Sequence, residues 1–465
     1  MEEVARHNNR NTCWMVLFGE VYDLTRFLSE HPGGAQILLK NSGKDGTAAF
    51  SQVHSKAILK ELKPEEKIGE INPKEAGKGG EIDLVSEWKE KRKRLPHLGS
   101  LMNVFEFEFL AKGVLDETGW AYYSSGAVDE ITLRENRDAY NRVILRPRVL
   151  VDVSKIDMTT RILGQPTSIP LYITAAALGK MAHPEGEVLL TKAAHNEKII
   201  QMCATMASVS LDEMVEAAHP EQPLFFQLYV NKDRKIAEET IIRAEKLGVK
   251  ALCITVDAPC LGRREKDMRH KAMYAPDLAT QAGKKGAESG GTARFISQFI
   301  DPSLNWDDIK WIKSITNLPL VLKGVQVGED ALKAVEYGVK AIILSNHGGR
   351  QADCCRSGLE ILPEVMAALR SINAQDKMEV WVDGGIRRGS DIFKALALGA
   401  KCVGIGRPSL FALGTYGQEG VERMIQMFKE ELDMCMVMCG VKNIDEIREG
   451  AMRGVVGGGV GGGLV

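Results

Sequence analysis

A histidine and an arginine lie three positions apart at the end of an apolar run, in the stretch AIILSNHGGRQ at residues 341–351. The apolar run predicts a buried strand, and the Ser-Asn-His-Gly-Gly-Arg sequence predicts a glycine-containing turn directly after it. The histidine, His347, can take up and release a proton near neutral pH. The arginine, Arg350, can bind a carboxylate through two parallel hydrogen bonds. The pair therefore predicts a site that removes a proton from a substrate held by its acid group.

Both side chains need a rigid scaffold to hold them in place. The sequence indicates one, because apolar β-rich runs alternate with amphipathic helical segments from about residue 102 to 418. The eight candidate strands are residues 169–174, 198–204, 224–228, 251–256, 319–323, 341–345, 379–383 and 402–406. Eight β/α units in roughly 250 residues predict an α/β fold of the (β/α)8 TIM barrel type. A doubly wound open sheet is the alternative, but it needs a glycine-rich dinucleotide-binding turn near the first strand, where this sequence has none.

Such a barrel places its chemistry at the carboxyl ends of its strands, and polar or small residues stand at all eight ends. A single end of this kind is equally well read as an ordinary turn, but all eight together predict one shared site. In chain order the ends are Thr174 to Ala177, Ala204 with Thr205, Gln227 to Tyr229, Thr255 to Asp257, Lys323, His347 with Arg350, Asp383 to Arg387, and Gly406 with Arg407.

The last two ends carry the sequences DGGIRRG and GIGRP, each followed by a predicted helix, and they predict a phosphate site. Glycines let backbone N–H groups approach a phosphate, and phosphate binding after these two strands recurs in this barrel. Arg387 and Arg407 are predicted to neutralise the phosphate charge. Gln227 and Thr255 can hydrogen-bond the edge of a heterocycle, and Lys323 would place a positive charge beside a ring that gains electrons. A structural ion pair is the alternative role for this lysine.

The acid–base chemistry predicted for His347 needs a partner for its ring. Asp257, at the fourth strand end, is predicted to hydrogen-bond that ring, fix its tautomer and stabilise its charged form. The side chains predicted to contact the substrate are Arg264, Arg350, Tyr122 and Tyr229.

Seven motifs in the correct order resemble the FMN-dependent 2-hydroxy acid dehydrogenase/oxidase family over about residues 102–440. They are YYSSGAVDE, QLYV, TVDAPCLGRREKDM, LKGVQ, SNHGGRQ, VDGGIRRG and GIGRP. The resemblance implies that His347, assisted by Asp257, is the base and that Lys323 lies near flavin N1. It also implies that Arg350, Arg264 and Tyr122 bind the substrate carboxylate and that Tyr229 contacts its hydroxyl side. The residues expected around FMN are Thr174, Ala175, Ala176, Ala177, Ala204, Gln227, Thr255, Lys323, Asp383, Gly384, Gly385, Ile386, Arg387, Gly406 and Arg407.

Two positions depart from the family pattern, and two others bear on substrate size. The family often has threonine where this chain has Ala176, and serine or threonine where it has Ala204. Each change removes one side-chain hydrogen bond to FMN, worth roughly 0.5–1.5 kcal/mol. Backbone groups, Thr174 or Thr205 can compensate, so weaker flavin retention at most is expected. Ala177 and Met206 stand where the family shapes its side-chain pocket, and their sizes favour lactate while admitting slightly longer 2-hydroxy acids.

A separate metal site is predicted near the N-terminus. His31 and His54 stand 23 residues apart beside short helical segments, and two histidines can clamp one flat cofactor from opposite faces. Ordinary surface or packed histidines are the alternative. The sequences FLSEHPGG and DGTAAFSQVHS resemble the haem-binding core of the cytochrome b5 family across residues 1–75. The resemblance implies that both histidines are axial ligands of haem b in a small α+β domain.

The predicted organisation is a haem-binding domain at 1–75, a linker at 76–101, a TIM barrel at 102–452 and a glycine-rich tail at 453–465. The linker carries a charged run from Glu87 to Arg94, which is read as a solvated helical piece of a flexible connection. The Gly/Lys-rich insert within residues 269–303 is predicted to be protease-sensitive, and the tail is predicted to be disordered.

Composition excludes several function classes. The chain has 465 residues, 44% hydrophobic and 26% charged, and a net charge of −2 gives no argument for nucleic-acid binding. No apolar run is long enough to span a bilayer. Nine cysteines without a CxxC pair favour a reducing compartment over a disulfide framework. A soluble cytoplasmic protein is expected, or one of the mitochondrial intermembrane space if a presequence is missing from this sequence.

These observations predict an enzyme that oxidises an L-2-hydroxy acid, in the first place L-lactate, to the 2-oxo acid. FMN would be the first electron acceptor, and electrons would pass through haem b to cytochrome c or a similar one-electron acceptor. A homotetramer is expected from the resemblance. An oxidase that passes electrons from FMN to oxygen is the alternative. A non-catalytic scaffold would require losses among the key site residues, and His347, Asp257, Arg350, Arg264 and Lys323 are all present.

Overall fold

The computed structural model describes residues 1–29, 31, 35–71, 84–274, 300–447 and 452–454. Most of the predicted protease-sensitive insert and nearly all of the predicted tail lie outside these ranges. The predicted helical pieces and strands fall almost entirely inside them.

Sixteen helices and sixteen strands lie in the described ranges. The helices are α1 (Glu2–Arg6), α2 (Ala35–Asn41), α3 (Thr47–Ser51), α4 (Leu84–Arg92), α5 (Val104–Val114), α6 (Glu117–Ser124), α7 (Ile131–Asn141), α8 (Val188–Asn196), α9 (Leu211–Ala217), α10 (Arg234–Lys246), α11 (Glu265–Tyr274), α12 (Trp306–Ile315), α13 (Gly328–Glu336), α14 (Gly358–Ser371), α15 (Gly389–Ala397) and α16 (Arg407–Cys439). The strands are β1 (Asn8–Asn9), β2 (Thr12–Leu17), β3 (Glu20–Asp23), β4 (Lys67–Glu70), β5 (Val143–Leu145), β6 (Thr160–Ile162), β7 (Gln165–Thr167), β8 (Leu171–Ile173), β9 (Ile200–Ala204), β10 (Leu224–Leu228), β11 (Ala251–Thr255), β12 (Leu320–Val325), β13 (Ala341–Leu344), β14 (Glu379–Asp383), β15 (Cys402–Ile405) and β16 (Met452–Gly454).

The N-terminal part of the chain is built on a four-stranded antiparallel sheet in the order β1-β2-β3-β4. The sequence places the turn of the β2–β3 hairpin at Gly19 and Glu20, but Glu20 already pairs with Leu17 as part of β3. The turn is Phe18-Gly19, with φ of 54° and 83°, which is the left-handed backbone that a two-residue hairpin turn requires. Buried side chains of the sheet, including Met15 and Leu17, pack against Leu38 of α2.

The larger part of the chain is a closed barrel of eight parallel strands in the order β8 to β15, with β15 paired to β8. This confirms the predicted TIM barrel, and each predicted strand agrees with the observed one to within two residues at either end. The strands read as continuous apolar runs because helices cover one face of the sheet and the barrel interior buries the other.

The barrel interior is filled by side chains. Tyr172, Phe225 and Trp381 are fully buried there, and the rings of Phe225 and Trp381 stack with centroids 5.9 Å apart. Ile162, from the β6–β7 hairpin, belongs to the same buried cluster. A packed interior of this kind leaves the carboxyl ends of the strands as the place for chemistry.

The charged helix α4 rests on the barrel. The indole N–H of Trp88 donates to the carbonyl of Ala182 (2.8 Å), and the Nε–H of Arg92 donates to the carbonyl of Gly414 (2.5 Å). The indole also contacts the ring of His183 edge-on at 4.4 Å. The interpretation of this run as a solvated linker is therefore wrong for Trp88 and Arg92, because the aromatic ring and the guanidinium anchor the helix despite its charge.

Two further observations complete the fold. Strand β16 pairs with β5, so the chain at 453–454 is in a strand where the sequence predicts the start of a disordered tail. Within the described ranges, no helix is long and apolar enough to cross a membrane.

Candidate functional site

A cavity of about 580 Å³ lies at the carboxyl ends of the barrel strands. Thr255 and Asp257 stand behind its wall, where they contact Gln227 and His347. The predicted site residues that line it are Tyr122, Thr174, Ala175, Ala176, Ala177, Ala204, Gln227, Tyr229, Arg264, Lys323, His347, Arg350, Asp383, Gly384, Gly385, Ile386, Arg387, Gly406 and Arg407. The barrel thus brings the residues predicted from eight separate strand ends to one place.

His347 is held between a carboxylate and a phenol. Its Nδ1 lies 2.8 Å from Oδ1 of Asp257, and its Nε2 lies 3.3 Å from the hydroxyl of Tyr229. The backbone of His347 is left-handed, with φ of 59°, and its N–H donates to the hydroxyl of Ser345 (3.1 Å). With Nδ1–H donating to Asp257, the free electron pair of Nε2 is available for a proton on the cavity side.

The protonation states of the pair suit a base. Burial lowers the pKa of His347 to about 4, against the opposing charge of Asp257, so the imidazole is neutral at physiological pH. Burial alone raises the pKa of Asp257, but the charges of His347 and Lys323 outweigh it and hold that pKa at about 2. A neutral ring beside a fixed carboxylate can accept a proton and have the resulting imidazolium stabilised.

Lys323 is a buried cation at the end of β12. Its ammonium donates to Oδ2 of Asp257 (3.2 Å) and to the hydroxyl of Ser345 (3.1 Å). Burial opposes its charge, but the carboxylates of Asp257 and Asp383 raise its pKa, so it stays protonated. Lys323 thus forms an ion pair with Asp257 and also lines the cavity, so both roles considered for it are compatible with the structure.

Six arginines line the cavity, and the four predicted from the sequence make most of their side-chain hydrogen bonds to uncharged acceptors. Arg350 donates to the carbonyls of Tyr122 and Ser125, and its guanidinium lies 4.8 Å from the centroid of the Tyr122 ring. Arg264 donates to the carbonyl of Arg350 (3.3 Å). Burial, followed by repulsion from Arg350, lowers the pKa of Arg264 to about 10. An anion such as a carboxylate would balance the positive charge of these arginines.

The other two arginines lie at the predicted phosphate site. Arg407 donates to the carbonyls of Tyr123, Gly348 and Ser125 at 2.8–2.9 Å, and burial with repulsion from Arg350 and Arg387 lowers its pKa to about 9. The guanidinium of Arg387 lies 3.5 Å from the carboxylate of Glu108, and its backbone N–H donates to Asp391 (3.0 Å). Their charge and their place after β14 and β15 fit a phosphate group.

The wall of the cavity fits a flavin nucleotide in a second respect. Oγ1 of Thr174 and Oδ1 of Asp383 are buried and have no hydrogen-bond partner in the described part of the chain. Buried polar atoms are normally satisfied, so these two indicate a ligand with polar groups of its own. Gly385 has φ of 83°, and a Cβ there would lie 1.8 Å from the carbonyl oxygen of Asn136 in α7. Glycine is thus required here by packing, in addition to any approach of a phosphate.

Three residues that organise the site were not singled out from the sequence. Ser345 links Lys323 to the backbone of His347. Gln351 donates to the carbonyls of Asp257 (3.0 Å) and Cys260 (2.7 Å), and so ties the base to the loop that carries Arg264. Asn346 exchanges two amide hydrogen bonds with a residue of α7. All three lie within residues 341–351, so their position in that stretch was the available signal.

His31 and His54 face each other in the N-terminal domain. Their ring centroids are 6.2 Å apart, and two metal–nitrogen bonds of about 2 Å plus half of each ring add up to about that span. Burial, followed by the charge of His31 and then that of Lys180, lowers the pKa of His54 to about 4, so its ring is in the neutral form that binds a metal. The two residues fit the axial positions of a haem.

Replacing Asp257 with asparagine is expected to slow flavin reduction by substrate by about 10²–10⁴-fold. The amide cannot stabilise the imidazolium, and an amide N–H donated to Nδ1 would place the ring proton on Nε2. Because Asp257 raises the pKa of His347, its removal should also move the acid limb of the rate profile to lower pH. The measurement is the rate of flavin bleaching from pH 8 to below the pKa of about 4 of His347, and an unchanged rate with an unchanged limb would contradict the assigned geometry.

Comparison with known proteins gives two family matches. Residues 111–454 match the family described as FMN-dependent dehydrogenase. Residues 1–72 match the family described as cytochrome b5-like heme/steroid binding domain. The first match covers the barrel and the second covers the domain that carries His31 and His54.

Individual relatives agree with these matches. The L-lactate dehydrogenase (cytochrome) of Wickerhamomyces anomalus is 46% identical over 96% of this chain and 78% of its own length. The L-lactate oxidase of Nostoc sp. is 45% identical over 75% of this chain and 97% of its own length. A solved structure of the flavin-binding domain of baker's yeast flavocytochrome b2 is 46% identical, with a TM-score of 0.73 over 79% of this chain and 90% of that one.

Proposed function

The chain belongs to the FMN-dependent dehydrogenase family and carries a cytochrome b5-like domain in front of the barrel, and from this we propose residue by residue how it works. It is an FMN- and haem-dependent oxidoreductase that oxidises an L-2-hydroxy acid, in the first place L-lactate to pyruvate, and passes the electrons through haem b to cytochrome c. FMN, when bound, takes up the two electrons of the substrate and releases them singly.

The proposed chemistry of the substrate side uses residues on one wall of the cavity. Arg264 and Arg350 bind the carboxylate, and Tyr122, whose ring lies against Arg350, shares that contact. The substrate is thereby oriented with its hydroxyl side toward Tyr229 and Nε2 of His347. His347 accepts the proton, and Asp257 stabilises the imidazolium that forms.

The proposed cofactor side uses other residues at the carboxyl ends of the same strands. Arg387 and Arg407 neutralise the phosphate of FMN, and the turn from Asp383 to Arg387 with Gly406 supplies backbone groups. Gln227, whose amide donates to Thr255 at 3.0 Å, meets the edge of the ring system. Lys323 holds a positive charge where the reduced ring is negative, which favours reduction. His31 and His54 hold the haem iron.

The charged and acid–base groups that share one cavity are the main support for the proposal. A neutral histidine lies between a buried carboxylate and a tyrosine, and a buried lysine and six arginines line the same cavity. An acid–base group, a fixed cation and an anion-binding wall are what removal of two protons and two electrons from a hydroxy acid requires.

The experiment that separates the proposal from the oxidase alternative measures two products. Purified protein is mixed with L-lactate in air, and the reduction of cytochrome c is compared with the formation of hydrogen peroxide. Reduction of cytochrome c is expected to dominate, because the fused haem-binding domain supplies a one-electron exit that a flavin barrel alone lacks. Dominant peroxide formation would favour the oxidase.

This chain is expected to bind FMN less tightly than a variant with serine at position 204 or threonine at position 176. The side chains of Ala176 and Ala204 line the cavity, and each forgoes a hydrogen bond worth roughly 0.5–1.5 kcal/mol. Thr205 does not compensate freely, because its hydroxyl already donates to the carbonyl of Gln227 (2.6 Å). Extensive dialysis should therefore release FMN, and Ala204→Ser should slow that release. Stoichiometric retention by the unmodified protein would contradict this expectation.

The domain boundaries at 75, 101 and 452 are proposed as predicted, with α4 of the linker attached to the barrel. A homotetramer is also proposed, and exposed apolar side chains support an interface. Leu150 is fully exposed, Val149 is 82% exposed and Phe109 is 79% exposed, and such side chains are typical of contact surfaces. Light scattering of the purified protein would test this. The compartment stays a prediction between the cytoplasm and the mitochondrial intermembrane space.

A further inference from the structure

The haem-binding domain touches the barrel through three hydrogen bonds next to a haem ligand, which we call the docking contact. The ammonium of Lys180 donates to the carbonyl of His54 (3.0 Å). The N–H of Ser55 donates to the carbonyl of Ser208 (3.0 Å), and its hydroxyl donates to Glu213 (2.7 Å). On the barrel side the contact is formed by the segments that follow β8 and β9, which also carry cavity-wall residues.

One buried carboxylate joins these two segments. Oε1 of Glu187 accepts the N–H of Gly179 (2.8 Å) and the N–H of Ser208 (2.9 Å). Glu187 is only 1% exposed, and a Cβ at Gly179 would lie 2.8 Å from its carboxyl carbon. A third bond closes the arrangement, since the N–H of Lys180 donates to the hydroxyl of Ser208 (3.1 Å). Both segments that form the docking contact are thus fixed to Glu187 immediately behind it.

The carboxylate of Glu187 has more hydrogen-bond acceptor capacity than these two backbone N–H groups use. Its second oxygen, Oε2, is buried and has no hydrogen-bond partner in the described chain. Burial raises the pKa of Glu187 to about 7, and the two N–H groups and the charge of Lys180 oppose this. The ammonium of Lys180 nevertheless reaches across to the haem-binding domain. An incompletely satisfied buried carboxyl is costly, and costly groups that persist are often tied to function.

We propose that Glu187 is a positioning residue for electron transfer between the two domains. It fixes Gly179, Lys180 and Ser208 in the geometry that receives His54 and Ser55, and it therefore controls the rate of haem reduction without contacting substrate. The inference rests on the proposed function for the direction of electron flow, from the barrel to the haem-binding domain.

The test is Glu187→Gln in the full-length holoenzyme, mixed anaerobically with L-lactate in a stopped-flow spectrometer. The amide keeps the shape but replaces two charge-assisted hydrogen bonds with weaker neutral ones, so haem reduction should slow by about tenfold. Flavin bleaching should keep its rate. Glu197→Gln is the matched control, because Glu197 is a similarly buried carboxylate, 8% exposed, just beyond the opposite end of α8. It should leave both phases unchanged.

Equal slowing of both phases by Glu187→Gln, or of neither, would overturn the inference. If that variant does not fold, Lys180→Met carries the test, because its ammonium bonds His54 directly: slowed haem reduction alone supports the inference, and an unchanged haem phase overturns it. If L-lactate does not bleach the flavin of the unmodified protein, the proposed function fails instead. Photoreduction of the flavin then starts the same interdomain step, and the same comparison of variants decides.

Discussion

Replacing His347 with glutamine is expected to abolish flavin reduction by L-lactate and to leave the haem spectrum unchanged. Glutamine can fill the space between Asp257 and Tyr229 but cannot accept the substrate proton, so a loss of about 10²–10⁴-fold or more is expected from the missing base. The measurement is flavin bleaching under anaerobic conditions, with the haem bands recorded in the same sample.

The variant also tests whether the two sites are independent. His347 lines the barrel cavity, whereas His31 and His54 face each other in the N-terminal domain. Chemical reduction of the His347→Gln protein should still reduce the haem. Loss of the haem bands would show that the separation of the domains is wrong, and retained bleaching at the wild-type rate would remove His347 from the chemistry.

Replacing His54 with alanine gives the opposite pattern. Without its second axial ligand the iron is no longer clamped on both faces, so bis-histidine haem and cytochrome c reduction should both be lost. Flavin bleaching by L-lactate should persist, because no residue of the proposed substrate site is altered. The bond from Lys180 goes to the backbone carbonyl of residue 54 and is available in the variant as well.

His97→Ala is a suitable control for this second variant. His97 is an exposed histidine outside the sheet domain, and its ring accepts only the N–H of Gly99 (3.1 Å). Haem content and cytochrome c reduction should be unaffected by its loss. If His54→Ala kept a normal haem spectrum, the assignment of the axial ligands would be wrong.

The stretch at 341–351 shows why much of the site was predictable. A strand that ends in histidine and arginine fixes both side chains at the carboxyl end of a barrel, where the other strand ends must also converge. Asp257, distant in sequence, is therefore predicted to hydrogen-bond the ring of His347, and it lies 2.8 Å from that ring. Lys323, predicted beside the ring of a bound cofactor, lies 3.5 Å from the same histidine. The β-strands were equally accessible because strands buried on both faces read as continuous apolar runs.

The features that the sequence does not predict depend on contacts between residues far apart in the chain, which no local sequence pattern indicates. Trp88 lies within a charged run, and its hydrogen bond to the carbonyl of Ala182, with that of Arg92 to the carbonyl of Gly414, attaches the helix to the barrel. Glu187 has no motif, and its importance comes from two N–H groups that belong to different loops. The hairpin turn was misplaced by one residue because Phe18, and not only glycine, adopts a left-handed backbone there.

The most direct test of the account is one anaerobic mixing experiment with L-lactate, followed at the flavin and haem wavelengths. The flavin should bleach first and the haem should be reduced afterwards, with cytochrome c reduced only once the haem is. A haem phase that precedes flavin bleaching, or complete flavin bleaching with the haem left oxidised, would contradict it.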